Sequence, residues 1–249
     1  MDKEQTTDFG FTQVSAEQKT RKVREVFDSV ATKYDVMNDL MSFGMHRFWK
    51  RFMVAAAKLQ PGAKALDLAG GTGDISRLLA QSLKGTGTVV LSDINQSMLS
   101  IGRDRCIDEN LDDNIVYTQV DAQQLPFEDF EFDLVTIAFG LRNVTDKALA
   151  LGEIFRVLKP GGKLLILEFS KLQVSSLAAV YDKFSFDVLP KIGQAVAKDA
   201  ASYRYLAESI RKHPDQDALI ELMGDAGFER CRYSNILGGV VALHEGMRL

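Results

Sequence analysis

The segment Leu66-Asp67-Leu68-Ala69-Gly70-Gly71-Thr72-Gly73-Asp74 constrains this chain more than any other. An apolar run ends in three glycines within four residues, and Asp93 follows 20 residues after Gly73. The segment reads as a strand, a sharp turn and a helix. Glycine lets the backbone turn tightly and approach a ligand with no Cβ in the way. The helix starting just beyond offers N–H groups that no helical carbonyl satisfies. A glycine turn that only closes a βα unit is the alternative, and Asp93 tells against it.

The elements around this turn fix the fold class. Strands are expected at 64–69, 88–93, 115–120, 133–138 and 163–169, and helices at 74–83, 96–109 and 146–158, with Pro160-Gly161-Gly162 as the stop before the last strand. Alternating β and α elements imply a parallel sheet with helices on both faces. Farther on, Pro214 suits the first turn of a helix and Gly227 its C-terminal cap, and strands near 228–234 and 239–245 follow. Ahead of the alternation, Val23, Val26, Phe27, Val30, Ala31 and Tyr34 give residues 19–34 an amphipathic helical period, and a second helical stretch covers 45–58.

Residues 172–212 are extra to this scheme. Leu177, Val180, Tyr181, Phe184 and Val188 form one helical face, and Tyr203, Leu206 and Ile210 another. An apolar insertion after the fifth strand lies where α/β ligands sit, so it reads as a lid over a greasy substrate. Packing as ordinary core, or as a homodimer contact, is the alternative. The expected organisation is a polar tail over 1–16 and a single domain over 17–249. That domain divides into a helical cap (17–60), a cofactor-binding core (61–171), the lid (172–212) and a C-terminal helix with a strand pair (213–249).

Composition narrows the partners. A net charge of −4 and a pI near 5.5 speak against nucleic acid. Cys106 and Cys231 are far apart and belong to no Cys/His cluster, which disfavours a disulfide framework or a metal site. The start is polar and acidic, unlike a secretory or transit peptide, and no apolar stretch approaches the roughly 20 residues that cross a bilayer. A cytoplasmic protein that touches membranes only from the surface is expected.

The glycine turn also selects among nucleoside ligands. A dinucleotide fingerprint spells GxGxxG, but after Gly71 and Gly73 the third position is Ser76. Asp67 and Asp74 flank the turn, where they would repel a pyrophosphate and favour an ammonium or sulfonium. S-adenosylmethionine carries both cations and no phosphate. Asp93 closes the run Thr88-Val89-Val90-Leu91-Ser92-Asp93 and can accept from both ribose hydroxyls; Asp121 ends the next strand and can accept from the adenine amine. An acid at a strand end can equally cap the following helix.

Further strings carry a closer resemblance. Tyr34-Asp35-Val36-Met37-Asn38 with Ser42, His46 and Trp49 fits YDxMNxxxSxxxHxxW. Phe139-Gly140-Leu141-Arg142-Asn143-Val144, Arg156-Val157-Leu158-Lys159-Pro160-Gly161-Gly162 with Glu168 and Ser170, and Ser202-Tyr203-Arg204-Tyr205-Leu206-Ala207-Glu208-Ser209-Ile210 accompany it. Over residues 17–249 the chain resembles the ubiquinone/menaquinone biosynthesis C-methyltransferase family. The resemblance implies a class I, Rossmann-like, seven-stranded sheet whose last strand inserts antiparallel. It also implies methylation of a ring carbon of a polyprenylated benzoquinol or of demethylmenaquinol.

By motif, the cofactor contacts implied are Thr72, Asp93, Asp121 and Ala122, beside Asp67 and Gly70 of the turn. Family members often carry serine where this chain has Ala138, so one hydroxyl contact is missing. For the reaction itself, Arg142 with Asn143 is the leading candidate for holding a phenolate, since arginine is a better anion holder than base. Tyr34, Asp35 and His46 are the neighbours that offer proton transfer. Methyl transfer needs no metal. An acceptor taken from the bilayer implies reversible surface contact through the insertion or the N-terminal amphipathic helix. The rival readings are a methyltransferase for another lipid or phenolic acceptor, an NAD-dependent reductase, and a non-catalytic S-adenosylmethionine-binding subunit of a quinone-synthesis complex.

Overall fold

The computed structural model describes residues 6–31, 34–173, 187, 191, 194 and 199–249. The chain opens with a hairpin of β1 (Thr6–Phe9) and β2 (Thr12–Ser15), followed by α1 (Ala16–Val30), α2 (Tyr34–Ser42) and α3 (His46–Ala57). The alternating core comprises β3 (Lys64–Leu68), α4 (Asp74–Leu83), β4 (Thr88–Asp93), α5 (Gln96–Asp108), β5 (Ile115–Gln119), β6 (Phe132–Ala138), α6 (Lys147–Val157) and β7 (Leu158–Phe169). Helices α7 (Ala200–Lys212) and α8 (Gln216–Asp225) precede β8 (Glu229–Ile236) and β9 (Val241–Met247).

Seven strands form one sheet in the order β5-β4-β3-β6-β7-β9-β8. Strands β3 to β7 run parallel, and β9 lies antiparallel between β7 and β8. Consecutive residues of β3 are buried, because helices cover both faces of a parallel sheet. Ala65, Leu91 and Leu134 point to the side packed by Trp49 and Met53 of α3 and Leu79 of α4. Leu66, Val90 and Val135 point to the other side, against Leu151 of α6 and Leu219 of α8. Strand order reverses between β3 and β6, and the carboxyl ends at such a switch point frame a crevice.

Several boundaries differ from the sequence reading. Residues 6–15 of the expected tail pair as a hairpin, with Phe9 stacked on Tyr205 at 4.2 Å between centroids. The helix expected over 19–34 spans Ala16–Val30, capped by Ser15 and Gln18, and Tyr34 opens a separate α2. Pro160-Gly161-Gly162 does not stop the chain before the fifth core strand. Leu158 already pairs with Phe132, and Gly161 N–H donates to the Arg248 carbonyl, so β7 runs through the irregularity. Pro214 precedes α8, whose N-cap is Asp215; Gly227 lies just past the helix at φ +99°. Leu177, Val180, Tyr181, Phe184 and Val188 lie outside the described residues, whereas Tyr203 and Leu206 are buried on α7.

Candidate active site

A cleft enclosing about 820 Å³, mouth included, opens at the carboxyl ends of β3, β4, β5 and β6. Two neighbouring strands end there on left-handed residues with side chains, Ala69 at φ +53° and Phe139 at φ +57°. That conformation is costly for a residue with a Cβ and concentrates at functional sites. The glycine turn continues the same geometry, Gly71 at φ +56° and Gly73 at φ +81°.

Asp93 faces this cleft from the end of β4. Its Oδ2 accepts from Gly71 N–H at 2.9 Å and its Oδ1 from Asn95 N–H at 2.8 Å. The carboxylate is therefore fixed by backbone on two sides, and burial raises its pKa to about 6. Asp121 also lines the cleft; its Oδ1 accepts from Gln123 N–H at 2.9 Å. Between the two acids the wall is apolar, made by Met98, Val120 and Ala122. A fixed carboxylate, an apolar wall and a second acid are the groups that a ribose, a purine and its exocyclic amine would require.

The remaining sequence candidates on the cofactor side stand behind the wall. Asp67 is fully buried, with Oδ2 accepting from Ser76 Oγ at 2.6 Å and Oδ1 from Thr136 Oγ1 at 3.0 Å. Burial raises its pKa to about 6. Ser76, at the third position of the glycine pattern, thus ties α4 to β3. Gly70 is needed where it stands because a Cβ would come within 2.7 Å of Asp67 Oδ2. Thr72 is buried in the turn and does not line the cleft. Asp74 faces away, paired with Lys50 Nζ at 2.6 Å and Arg77 Nη2 at 3.1 Å. Asp67 and Asp74, expected from sequence to present their charge at the turn, thus do not face the cleft; the acids that face it are Asp93 and Asp121.

At the other end of the cleft the structure brings together Tyr34, Phe27, Phe139 and Asn143. Tyr205 Oη donates to Asn143 Oδ1 at 3.0 Å, so the Asn143 amide N–H groups are left for a ligand. Arg142 does not reach the cleft. Its Nη1 pairs with Glu168 Oε1 at 2.8 Å and also donates to the Phe139 carbonyl, all within the protein interior. The guanidinium thus anchors the 139–143 turn that carries Asn143. His46 is buried beside Ser42 Oγ at 2.9 Å, outside the cleft, and burial lowers its pKa. Trp49 packs against Phe139 and Phe169. The Asp35 side chain lies outside the described residues.

Three contributors were not singled out from sequence. Tyr205 was part of a recognised string but had no role there. The hairpin holds Tyr205 through Phe9, and Phe11 N–H donates to Glu208 Oε2 at 3.1 Å. Gly102 of α5 admits the turn, since a Cβ would come within 2.8 Å of the Gly71 carbonyl oxygen. A glycine inside a helical pattern is the signal for such an approach.

Residues 13–248 match the ubiE/COQ5 methyltransferase family. The chain belongs to the ubiE/COQ5 methyltransferase family. It is 56% identical over 248 residues to the ubiquinone/menaquinone biosynthesis C-methyltransferase UbiE of Saccharophagus degradans, covering 100% of both chains. To the UbiE of Xylella fastidiosa it is 58% identical over 243 residues, covering 98% of this chain and 96% of the relative. Among solved structures, a SAM dependent methyltransferase from Aquifex aeolicus superposes with TM-score 0.61 at 16% identity, covering 86% of this chain and 98% of the other. The CurJ carbon methyltransferase gives TM-score 0.58 at 15% identity, over 79% of this chain and 54% of the other. These two share the class I fold. In this ubiE/COQ5 family member, the seven-stranded order with an antiparallel β9 is the expected architecture.

Proposed function

We propose that this chain transfers a methyl group from S-adenosylmethionine to a ring carbon of a polyprenyl benzoquinol or of demethylmenaquinol. The full-length likeness to the UbiE relatives supports the substrate class. The observation that carries the chemistry is one continuous cleft, acidic at the Asp93 and Asp121 end and apolar with an amide at the Tyr34 and Asn143 end.

When bound, S-adenosylmethionine supplies an electrophilic methyl group. Asp93 accepts from the ribose hydroxyls with an orientation set by Gly71 and Asn95, and Asp121 meets the adenine edge. The Asn143 N–H groups donate to the quinol oxygen, so negative charge gathering there as its proton leaves is stabilised next to the reacting carbon. Tyr205 keeps the amide turned that way. Burial pushes the Tyr205 hydroxyl up to about 12, so at neutral pH it stays a donor and not a base. Arg142 acts through the turn it anchors to Glu168. Phe27 and Phe139 exclude water from the ring face, and placement in line with the methyl group supplies the remaining rate. The balance is one ring C–H bond and the donor S–CH3 bond broken and one C–CH3 bond formed, with release of S-adenosylhomocysteine and a proton.

A polyprenyl acceptor resides in the bilayer, so the enzyme meets it at a membrane surface; among the described residues no helix is long and apolar enough to cross one. The test is incubation of the purified protein with methyl-labelled donor and a reduced short-tailed demethyl quinol, followed by mass spectrometry. A label on the ring carbon is expected. Label on oxygen, or unchanged quinone composition in cells lacking the protein, would overturn the assignment.

A further inference from the structure

We propose that the corner between α2 and α3 is the surface by which this enzyme docks on an anionic bilayer. The inference rests on the quinol reading for its motive, and on its own observations for its location. From position 40 to 66 the sequence holds no Asp or Glu, yet it includes Arg47, Lys50, Arg51, Lys58 and Lys64, in a chain whose net charge is −4. Large apolar side chains stand in solvent in the same place: Phe43 is 81% exposed, Phe48 61% and Phe52 40%.

Helix α3 explains the pattern. Trp49, Met53 and Ala57 turn inward onto the sheet, while Phe48, Arg51, Phe52 and Ala55 recur at i, i+3, i+4 and i+7 on the outer face. Lys50 is spent on Asp74, Arg47 on Asp39 at 2.7 Å and Lys64, at the start of β3, on Glu131; Arg51 makes no ion pair among the described residues. Aromatic rings interleaved with arginine suit the boundary between acyl chains and anionic headgroups. A second copy of the chain is the less suitable occupant, because a twofold contact sets a patch against itself and this stretch carries basic residues with no acid of its own to meet them. Helix α2 also links the patch to the cleft. Tyr34 at one end of α2 lines it and Phe43 lies just past the other end, a distance of about 13 Å along the nine-residue helix.

The experiment is flotation of the full-length protein with vesicles of phosphatidylcholine alone or mixed with phosphatidylglycerol. Binding to the mixed vesicles, weakened by high salt, is expected. F48S/F52S should lower the vesicle-bound partition constant at least about tenfold and R51E about fivefold or more. Both variants should keep the wild-type Tm and the methylation of a short-tailed, water-soluble quinol. Flotation of the variants equal to wild type would overturn the proposal, as would a wild-type dimer that F48S/F52S turns into monomer while vesicle binding is retained. Absence of short-tail methylation in every form would instead refute the catalytic reading and leave the flotation result to judge the surface.

Discussion

Replacing Asp93 with asparagine tests the site at the group that carries most of it. Both oxygens of the native carboxylate hold backbone N–H groups, Gly71 at 2.9 Å and Asn95 at 2.8 Å. An amide offers one oxygen and one NH2, so one of these buried donors must face another donor. Hydrogen bonds to a charged group contribute about 1.5–3 kcal/mol. At neutral pH that loss is offset by the removal of a buried charge, because burial raises Asp93 to about 6 against an ordinary 3.8, so the Tm of the variant should lie within a few degrees of wild type at pH 7. The ribose hydroxyls lose a charged acceptor of similar worth, which raises the dissociation constant for the nucleoside about 10- to 150-fold. Calorimetry with S-adenosylhomocysteine and a thermal melt read the two effects separately. Burial raises Asp93 to about 6, so wild-type affinity should also fall as pH drops through about 6, whereas the variant should show no such step. A dissociation constant within about threefold of wild type, with no pH step in either protein, would refute the assignment of Asp93 to the ribose.

Asp67→Asn should act on stability instead. The folded state holds the Asp67 proton up to about pH 6 against an ordinary value of 3.8, so its favourable contribution is complete below pH 3.8 and is lost as pH rises through about 6. An amide can still bond Ser76 and Thr136, whose hydroxyls rotate. Denaturant melts should show the variant equal to wild type near pH 4 and more stable by about 3 kcal/mol at pH 8, with nucleoside affinity unchanged; a variant less stable at pH 8 would contradict this. Tyr205→Phe removes the hydrogen bond that turns Asn143 and keeps the ring under Phe9. Steady-state kinetics should show kcat lower by about fivefold to tenfold with the donor KM unchanged, and equal kcat would show that Asn143 needs no such support.

The half of the cleft proposed for the nucleoside was the more legible in sequence because the residues that line it are set locally. Asp93 and Asp121 stand at strand ends, and the glycines mark the turn that Asp93 holds. The same reading misplaced Asp67 and Asp74 because adjacency in sequence does not say which way a carboxylate faces. Lys50, 24 positions from Asp74, captures one, and Ser76 with Thr136 captures the other. Arg142 was drawn to the substrate by its charge, but Glu168, 26 positions away, pairs with it in the interior. The hairpin over 6–15 was hidden by its polarity: its apolar anchors are Val14, which is buried, and Phe9, and the ring that Phe9 needs lies on α7.

This division follows from the topology. Strands β3, β4 and β5 succeed one another on one side of the switch point, so the acids at their ends are set by short connections. The acceptor end has no such continuity. Tyr34 comes from α2, Phe27 from α1 and Asn143 from the turn after β6, with Tyr205 reaching in from α7. Each is placed by packing between elements distant in sequence: Asn95 at the head of α5 donates to Asp28 at 2.9 Å to seat α1, and Phe9 seats Tyr205. A change in any of these supports moves the proposed acceptor end without touching Asp93 and Asp121, the acids proposed to hold the nucleoside. The nucleoside grip can therefore remain constant across acceptors, while the choice of acceptor resides in the cap formed by the hairpin, α1, α2 and α7.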